Sequence, residues 1–440
     1  MAIVVGAGIE VGPGVTIGGG SSISATLVYN LDAADYTGLS ARFSGSNNLS
    51  VPNNVALNPG TGDFTIEFWV YLNSTTNNAS FYRGNNNGVD IFMNGSGRLA
   101  MGQAQVATLI TDSVTMTTGA WVHVAAVRIG AATRLYKNGV LVGSAGDSNN
   151  YVTDSVNYIG TQGGIRITGF MSNLRVVIGL GVYTGAFTPP TAPLSTTQSS
   201  GTNISAITTQ TQLLLPLTTT PFTDISTNAI TVTNTGSVTS GVSSPFTATD
   251  ATGTYTITVA NAGSIAYSTT NGGIFSKTTN VGTDFMYGGP NWVTGQSYSV
   301  FMAYQRTATS AGRLLNTQSE ASKDWLMGLY NGNPDTFYPN YAVNLPASGA
   351  DLVSHFGWAT WNTSTSLGQL YTATNTQPVG TSYAVTNAGG GGFNQLRMFS
   401  RSAGSEVQTG NIGFVKAYSG VLTLADVQDL YSQYKARFGY

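Results

Sequence analysis

The feature that most constrains this chain is a pattern of strands that occurs once in each half. The first copy reads Trp121-Val-His-Val-Ala-Ala-Val-Arg128, Arg134-Leu-Tyr-Lys-Asn-Gly139 and Thr168-Gly-Phe-Met-Ser-Asn-Leu-Arg175. The second copy reads Val353-Ser-His-Phe-Gly-Trp-Ala-Thr360, Gln369-Leu-Tyr371 and Thr409-Gly-Asn-Ile-Gly-Phe-Val-Lys416. In both, a strand with one histidine precedes a strand with Leu-Tyr, and Thr-Gly then introduces a further apolar strand. This repeat predicts two copies of one all-β unit.

Composition narrows the class of protein further. Apolar residues make up 41% of the 440 residues, which is enough for full hydrophobic cores. Charged residues make up only 8%, against about 25% in an average protein. The net charge is −2 and there is no basic cluster, so binding to nucleic acid is disfavoured. No run of about 18 apolar residues occurs, so the sequence predicts no membrane span.

The chain divides into three predicted parts. Residues 1–25 alternate glycines with Ile and Val, and glycine this dense cannot build an independent core. This segment is either a flexible leader or an arm that adds a strand to a neighbouring chain or particle. Residues 26–246 and 247–440 are each predicted to form one β unit, with Ser243-Ser-Pro-Phe246 at the boundary.

Local patterns predict particular elements in both units. Phe64-Thr-Ile-Glu-Phe-Trp-Val-Tyr71 alternates apolar and other residues as a half-buried strand does. Asn138-Gly139 between two apolar runs predicts a type I′ hairpin. Near the end, Thr423 and Asp426 have capping-box spacing. The apolar stripe that follows predicts a helix that seals the second unit and consists of Val427, Leu430, Tyr431, Tyr434 and Phe438.

These motifs resemble a known family. Phe43-Ser-Gly45, Phe64–Val70, Trp121–Ala125, Leu135–Gly139 and Gly169–Arg175 look like laminin-G-like domains of the concanavalin A-like superfamily. Val182-Tyr-Thr-Gly-Ala-Phe-Thr-Pro-Pro190 and the closing helix are similar to the version found in structural proteins of tailed bacteriophages, particularly cyanophages. The resemblance is close over residues 26–246 and looser over 247–440, where no Asn-Gly follows Leu370-Tyr371.

The resemblance implies an all-β fold of two tandem jelly-roll sandwiches behind a glycine-rich arm, closed by one short helix. It also implies a virion protein on the outer surface of a capsid or tail. Its partners would be other virion proteins, contacted through residues 1–25, and copies of itself, with a trimer as the favoured assembly. A host surface glycan is a further possible partner.

The search for catalytic groups favours a protein that is not an enzyme. Retaining glycosidases need two carboxylates about 5 Å apart. Related glucanases carry theirs as Glu-x-Asp-x-Glu on one strand, and no such stretch occurs here, since Glu67 is alone on its strand. The two histidines, His123 and His355, have no acid or nucleophile nearby in sequence and are predicted to be structural.

Calcium is the usual ion of the proteins that this chain resembles, although no cofactor is firmly predicted. Oxygen ligands for calcium could come from Asp32 with Asp35, or from Asp147 with Asn149 and Asn150. The alternative is that these residues form turns through Asx hydrogen bonds.

Two loops have the chemistry of a sugar site, in which an aromatic ring stacks on the sugar and amides or carboxylates bind its hydroxyls. The alternative is that the aromatic residues anchor the loops or fill a subunit interface. The candidate residues are Tyr82, Arg83 and Asn85 in the first unit, and Tyr330, Asn333, Asp335, Phe337, Tyr338 and Tyr341 in the second. The favoured function at this point is a non-enzymatic virion structural protein, either a capsid decoration or a fibre component. The alternative is a glycan-binding receptor adhesin of a tail fibre, and a polysaccharide depolymerase is the least favoured.

Overall fold

The computed structural model describes most of the chain in eleven stretches. They are residues 23–76, 78–292, 296–308, 312–317, 325–330, 333–339, 343–344, 354–374, 383–386, 393–400 and 406–439. Residues 1–22, which make up most of the predicted arm, lie outside them, and so does Tyr341. Among the described residues, no helix has the length and apolar character needed to cross a bilayer.

Strands account for most of the described structure, as the repeat predicted. The strands of the first half are β1 (Thr26–Asp32), β2 (Ser40–Ser44), β3 (Asn48–Pro52), β4 (Phe64–Leu72), β5 (Ala79–Gly84), β6 (Val89–Met93), β7 (Arg98–Gln103), β8 (Ala107–Thr115), β9 (Trp121–Ile129), β10 (Ala132–Lys137), β11 (Val140–Gly146), β12 (Val156–Ile159), β13 (Thr161–Gln162), β14 (Ile165–Arg166), β15 (Thr168–Ile178), β16 (Thr211–Leu215), β17 (Thr233–Thr235) and β18 (Thr239–Gly241).

The second half continues in the same way and ends in a helix. Its elements are β19 (Ala248–Thr249), β20 (Thr256–Ala260), β21 (Ile265–Ser268), β22 (Ile274–Lys277), β23 (Phe285–Trp292), β24 (Tyr298–Arg306), β25 (Gly312–Thr317), β26 (Trp325–Tyr330), β27 (Asn333–Pro339), β28 (Val343–Asn344), β29 (Ser354–Asn362), β30 (Leu367–Thr374), β31 (Tyr383–Thr386), β32 (Phe393–Met398), β33 (Gly410–Ser419) and α1 (Leu424–Tyr434). Short 3-10 turns lie at Val55–Leu57, Ala262–Ser264, Thr270–Gly272 and Lys435–Phe438.

One long sheet, which we call the shared sheet, runs through both halves. Its order in the described residues is β11-β10-β9-β4-β15-β2-β18-β21-β22-β33-β24-β29-β30-β31, with β1 beside β33 and β16 beside β15. The sequence repeat maps onto this sheet, because the order β10-β9-β4-β15-β2 of the first half corresponds to β30-β29-β24-β33-β22 of the second. The order is mirrored about the β18–β21 pair, so the two copies meet edge to edge.

Each half of the shared sheet forms a sandwich with a second sheet. The first sandwich packs β11 to β2 against the seven-stranded sheet β17-β3-β12-β5-β6-β7-β8. The second packs β21 to β31 against the sheet β19-β20-β23-β32-β25-β26-β27-β28. Each sandwich has its own buried apolar cluster. The predicted all-β sandwich fold with one C-terminal helix is confirmed for the described residues.

The strand β4 shows how the alternating sequence produces this layering. Its residues Phe64, Ile66, Phe68 and Val70 lie in the first core. The residues between them face the opposite side of the shared sheet, because successive side chains of a strand alternate. We call that side, turned away from the two cores, the outer face.

Two further predicted elements are confirmed. Asn138 and Gly139 have φ of 50° and 76°, as a type I′ turn requires, and join β10 to β11. Helix α1 begins after Thr423, whose side chain and that of Asp426 form a reciprocal capping box. The apolar stripe of the helix packs on the outer face of the second sandwich, where it covers Phe301, Phe356, Trp358 and Phe414.

Strand pairing corrects one predicted boundary. Strand β1 was expected to open the first unit, but it pairs with β33 along its whole length, with Leu31 opposite Val415. Leu31 and Tyr29 are buried in the core of the second sandwich. Residues 26–32 therefore complete the second sandwich, while the division of the chain near residue 246 stays a prediction.

Candidate functional site

The first predicted sugar-binding loop is placed differently from what the sequence suggested. Tyr82 is only 1% exposed, lies in the first core and donates its hydroxyl hydrogen bond to Asn157 Oδ1 at 3.1 Å. A β-bulge between Ser80 and Tyr82 turns the ring inward. Tyr82 therefore anchors the sheet and offers no ring face to a ligand, which corrects the expected role of this residue.

Asn85 holds the turn that follows β5. It is half-buried, and its Nδ2 donates to Ser155 Oγ at 3.0 Å and lies 3.5 Å from Asp154 Oδ1. The neighbouring Asn86 and Asn87 have positive φ, which asparagine tolerates in turns. The asparagine run is thus explained locally by turn formation.

Arg83, in contrast, lies on the open face of the seven-stranded sheet. It stands directly opposite Asp90 in the β5–β6 ladder, and its Nη1 donates to Asp90 Oδ2 at 2.5 Å. Ser80 Oγ donates to the other carboxylate oxygen at 2.6 Å. The two charged side chains are only 8% and 6% exposed. Burial raises the pKa of Asp90, although the hydrogen bond from Ser80 and the charge of Arg83 oppose this shift.

The Arg83–Asp90 pair borders a pocket of about 320 Å³, which we call the Arg83 pocket. Phe92 and Gln103 come from the two strands after Arg83, and the loop before β8 closes one side. Gln103 Nε2 donates to the carbonyls of Asn87 and Asn150, which fixes the amide. In the described part of the chain, no donor contacts Gln103 Oε1, so this oxygen can accept a hydrogen bond from a ligand.

The second predicted loop spans strands β26 and β27. Residues Met327 to Gly328 of β26 pair with Thr336 to Phe337 of β27. The side chains of Tyr330, Asn333, Asp335, Phe337 and Tyr338 lie outside the described part of the structure, as does the whole of Tyr341. Their role in sugar binding stays a prediction.

The acidic residue that sequence reasoning singled out, Glu67, is at the centre of a buried network. Arg175 donates to Glu67 Oε1 from Nε at 2.9 Å and from Nη2 at 2.5 Å. The Tyr183 hydroxyl donates to Oε2 at 2.6 Å, and His123 Nε2 lies 3.2 Å from the same oxygen. Burial alone would raise the pKa of Glu67, but the charge of Arg175 and the contacts with His123 and Tyr183 lower it to about 2.

This network has the chemistry of a structural ion pair and not of a hydrolase. All of its members are at most 1% exposed, and both carboxylate oxygens already accept hydrogen bonds. A retaining glycosidase needs a second carboxylate about 5 Å away, and no acidic residue is among the partners of Glu67 in the described structure. The two histidines were predicted to be structural. His123 contacts Glu67, which is 56 positions away in the chain, so the residues next to His123 in sequence gave no sign of this contact. The side chain of His355 lies outside the described residues.

Each candidate calcium segment contains an aspartate that is held by internal contacts. Asp32 accepts from the backbone N–H of Ala34 at 2.9 Å and from Arg437 Nη1, and it lies 3.8 Å from Lys416 Nζ. Asp147 accepts from Thr133 Oγ1, from the Tyr151 hydroxyl at 2.9 Å and from the backbone N–H of Asn149 at 3.0 Å. No group of three histidine or acidic side chains in the described residues is arranged to hold a metal ion. These contacts favour the turn-forming interpretation of both segments.

Sequence reasoning therefore identified one residue of the Arg83 pocket and missed the others. Asp90, Phe92 and Gln103 come from two further strands, and only the register of the sheet brings them to Arg83. The one available signal was the alternation in Val89-Asp-Ile-Phe-Met93, which places Asp90 and Phe92 on the face away from the core.

Comparison with known proteins agrees with the fold. Residues 43–178 match the model of a family described as the concanavalin A-like lectin/glucanases superfamily. The matched stretch covers about a third of the chain, runs from β2 to β15 and contains the Arg83 pocket. The match supports a concanavalin A-like fold for residues 43–178. No curated protein sequence matches the chain.

Solved structures of similar architecture are distant in sequence. A putative carbohydrate-binding protein from Bacteroides ovatus is 16% identical over 49% of this chain and 60% of its own, with a TM-score of 0.36. This chain thus spans about three fifths of that protein. Domain 4 of the arabinanase AbnA from Geobacillus stearothermophilus, solved with arabinotriose, is 17% identical over 41% of this chain and 91% of its own, with a TM-score of 0.30. Domains LG4-5 of the mouse laminin α1 chain are 12% identical over 91% of this chain and 94% of their own, with a TM-score of 0.28.

Proposed function

We propose that this chain is a glycan-binding protein without enzymatic activity, and that the first sandwich binds an uncharged sugar in the Arg83 pocket. The observation that carries the proposal is the Arg83–Asp90 pair, whose side chains are more than nine-tenths buried and yet border a pocket open to solvent. The family description of residues 43–178 includes lectins, which supports the same class of ligand.

The chemistry of the pocket suits a sugar with neighbouring hydroxyl groups. The carboxylate of Asp90 accepts hydrogen bonds and the guanidinium of Arg83 donates them. Asp90 can therefore bind a sugar hydroxyl that donates, and Arg83 a neighbouring hydroxyl that accepts. In the described residues, Asp90 is the hydrogen-bond partner of Arg83, so the other N–H groups of the guanidinium remain available. Gln103 adds an amide oxygen, and Phe92 adds apolar surface for the C–H groups of the ring.

The net charge of the pocket argues for an uncharged ligand. Arg83 and Asp90 neutralise each other, and the other residues around the pocket carry no charge. A buried ion pair loses much of its hydration, and replacing such a pair by apolar residues is often neutral or stabilising. We therefore attribute the presence of the Arg83–Asp90 pair beside an open pocket to ligand binding and not to a contribution to stability.

The wider role implied by the phage resemblance remains part of the proposal. It comprises display on the outer surface of a tailed-phage virion, contacts with other virion proteins through residues 1–25, and homo-oligomerisation. Immunogold labelling of intact phage particles that encode the chain would test it. Absence of label from both head and tail would contradict it.

Sugar binding is tested by calorimetry and a glycan array with the full chain. We expect Asp90→Asn to weaken binding of the best uncharged glycan by at least about tenfold, because hydrogen bonds to charged groups contribute about 1.5–3 kcal/mol. Arg98→Gln is the matched control, since Arg98 is exposed at the start of β7 and does not border the pocket. Thermal melts establish that both variants fold.

Two results would contradict the proposal. One is that the wild-type chain binds no uncharged glycan at any concentration tested. The other is that folded Asp90→Asn protein binds its glycans as tightly as the wild type does.

A further inference from the structure

A second concave surface lies where the two sandwiches meet. This junction cleft has a volume of about 470 Å³. One wall carries Tyr71 and Trp121 from the outer face of the first sandwich, and the opposite wall carries Thr258 and Asn261 from the second. The connecting segment 242–248 runs along the cleft between them. Neither sandwich alone contains both walls.

The first wall is an aromatic platform fixed by strand register. Tyr71 and Trp121 are direct partners in the β4–β9 ladder, and their rings meet edge to face with centroids 5.8 Å apart. Phe170, opposite Tyr71 on β15, supports the platform with its centroid 5.7 Å from that of Tyr71. Trp121 Nε1 donates to Ser243 Oγ at 3.2 Å, which holds the indole against the connecting segment. Tyr71 and Trp121 are both half-buried, so part of each ring remains open to the cleft.

The two walls are held in a fixed relation. Strands β18 and β21 join the sandwiches in one sheet, with Ser240 opposite Tyr267. Phe170 is itself 2% exposed and belongs to the buried cluster of the second sandwich. A Cβ on Gly241 would lie 2.5 Å from the Phe170 ring, so the close approach of β18 to the platform needs glycine at this position. The cleft is therefore preformed, which reduces the entropy lost on binding.

The chemistry of the cleft specifies the class of its ligand. No residue that borders the cleft carries a charge. Its polar groups are hydroxyls, such as those of Ser244 and Thr258, and the amide of Asn261. Its apolar groups include the rings of Tyr71, Trp121 and Phe246 together with aliphatic side chains such as Pro245 and Val259. A ligand that matches this surface has apolar ring faces, many hydroxyl groups and no charge.

We infer that the junction cleft is a second binding site for an uncharged oligosaccharide, formed jointly by the two sandwiches and separate from the Arg83 pocket. A sugar ring would lie against Tyr71 and Trp121, while Thr258 and Asn261 would bind its hydroxyls from the opposite wall. This inference does not depend on the Arg83 pocket, since the two sites share no residue.

The experiment uses full-length protein and a panel of uncharged hexaoses, namely maltohexaose, cellohexaose and arabinohexaose, measured by calorimetry. The starting protein is Asp90→Asn, in which binding at the Arg83 pocket is weakened. We expect this protein to bind at least one hexaose, and Trp121→Leu in the same background to weaken that binding about tenfold, because an aromatic contact contributes up to about 1.5 kcal/mol beyond its buried area. Thr258→Val removes a hydroxyl from the other wall at nearly constant volume and should weaken it by about threefold to tenfold.

Tyr431→Leu is the matched control, because it removes a half-buried aromatic ring of α1 that borders neither site and should leave binding at the cleft unchanged. Thermal melts of each variant separate lost binding from lost folding, and Thr258→Val gives the answer if Trp121→Leu fails to fold. If Asp90→Asn abolishes all hexaose binding, the inference about the cleft is wrong while the proposed function survives. If Asp90→Asn has no effect and Trp121→Leu removes all binding, the cleft is the site and the Arg83 pocket is not. Binding of none of the three hexaoses by the Asp90→Asn protein, or retention of full affinity in both folded cleft variants, overturns the inference.

Discussion

On the outer face of the shared sheet, the first sandwich buries a charged network beside an apolar cluster, whereas the second buries mainly a cluster of aromatic rings. The two faces are equivalent in topology, because β9, β4 and β15 of the first correspond to β29, β24 and β33 of the second. In the second, the rings of Phe301 and Trp358 stack with centroids 4.6 Å apart, and Phe414 meets Phe301 edge to face at 4.7 Å. In the first, Glu67 and Arg175 lie at the centre.

The difference follows from what covers each face. Helix α1 covers the second, and a helix satisfies most of its backbone groups internally, so it can lie on a mainly apolar surface. The irregular segment 180–207 covers the first, and its backbone groups need partners from outside the segment. The sheet supplies them: Arg175 Nη1 donates to the Ser195 carbonyl at 2.9 Å, and Thr65 Oγ1 accepts from the Val182 N–H at 2.8 Å. The buried charges of the first sandwich and the buried aromatic rings of the second thus have the same role, which is to hold a covering segment on the outer face.

The largest expected effect comes from breaking the charged network. Glu67→Ala should lower the free energy of unfolding by about 3–5 kcal/mol, because Arg175 is left as a buried charge without its counter-ion. Urea denaturation of the full chain measures this value. Hydrogen exchange should show the loss first in residues 180–207, which Arg175 holds through Ser195 and Gln198.

A double variant sharpens the comparison. In Glu67→Leu with Arg175→Met the buried pair is replaced by apolar residues, a change that is often neutral or stabilising where a pair has no further role. Here we expect the double variant to stay less stable than the wild type, because the hydrogen bonds of Arg175 to the covering segment are also lost. Wild-type stability and unchanged exchange in residues 180–207 would show that the network does not hold this segment.

A smaller effect is expected from acid. The pKa of Glu67 is lowered from its ordinary value of 4.5 to about 2 in the folded chain. The stabilisation from the ionised carboxylate is therefore complete above about pH 4.5 and is lost as the pH falls towards 2. Unfolding free energies between these limits should fall more steeply for the wild type than for Glu67→Gln, which cannot titrate at this position. Parallel slopes for the two proteins would show that Glu67 does not have a lowered pKa in the folded state.

The sequence predicts the parts of this fold that depend on neighbouring residues. The turn at Asn138-Gly139 and the capping box at Thr423 each involve residues at most three positions apart, and both are confirmed. Pairings between distant segments are different. The sequence does not indicate that β1 pairs with β33, nearly 400 residues later, or that His123 lies against Glu67. The Arg83 pocket was missed in part for the same reason, since sheet register, not spacing along the chain, brings its residues together.

The smallest expected effect concerns the helix that covers the second sandwich. Thr423 accepts a hydrogen bond from the Asp426 N–H through its hydroxyl, and Asp426 in turn accepts from the Thr423 N–H at 2.8 Å. Thr423→Ala should lower the free energy of unfolding by about 1 kcal/mol, the usual effect of losing an N-cap side chain. Thr423→Ser keeps the cap and should be close to the wild type, and Ser432→Ala on the exposed side of the helix is the control for substitution within α1. We expect the aromatic cluster, and not the cap, to hold α1 in place. If Thr423→Ala lowered the free energy of unfolding by more than about 3 kcal/mol, this expected difference between the two outer faces would be wrong. It would mean that the second sandwich, like the first, depends on a few polar contacts to keep its cover attached.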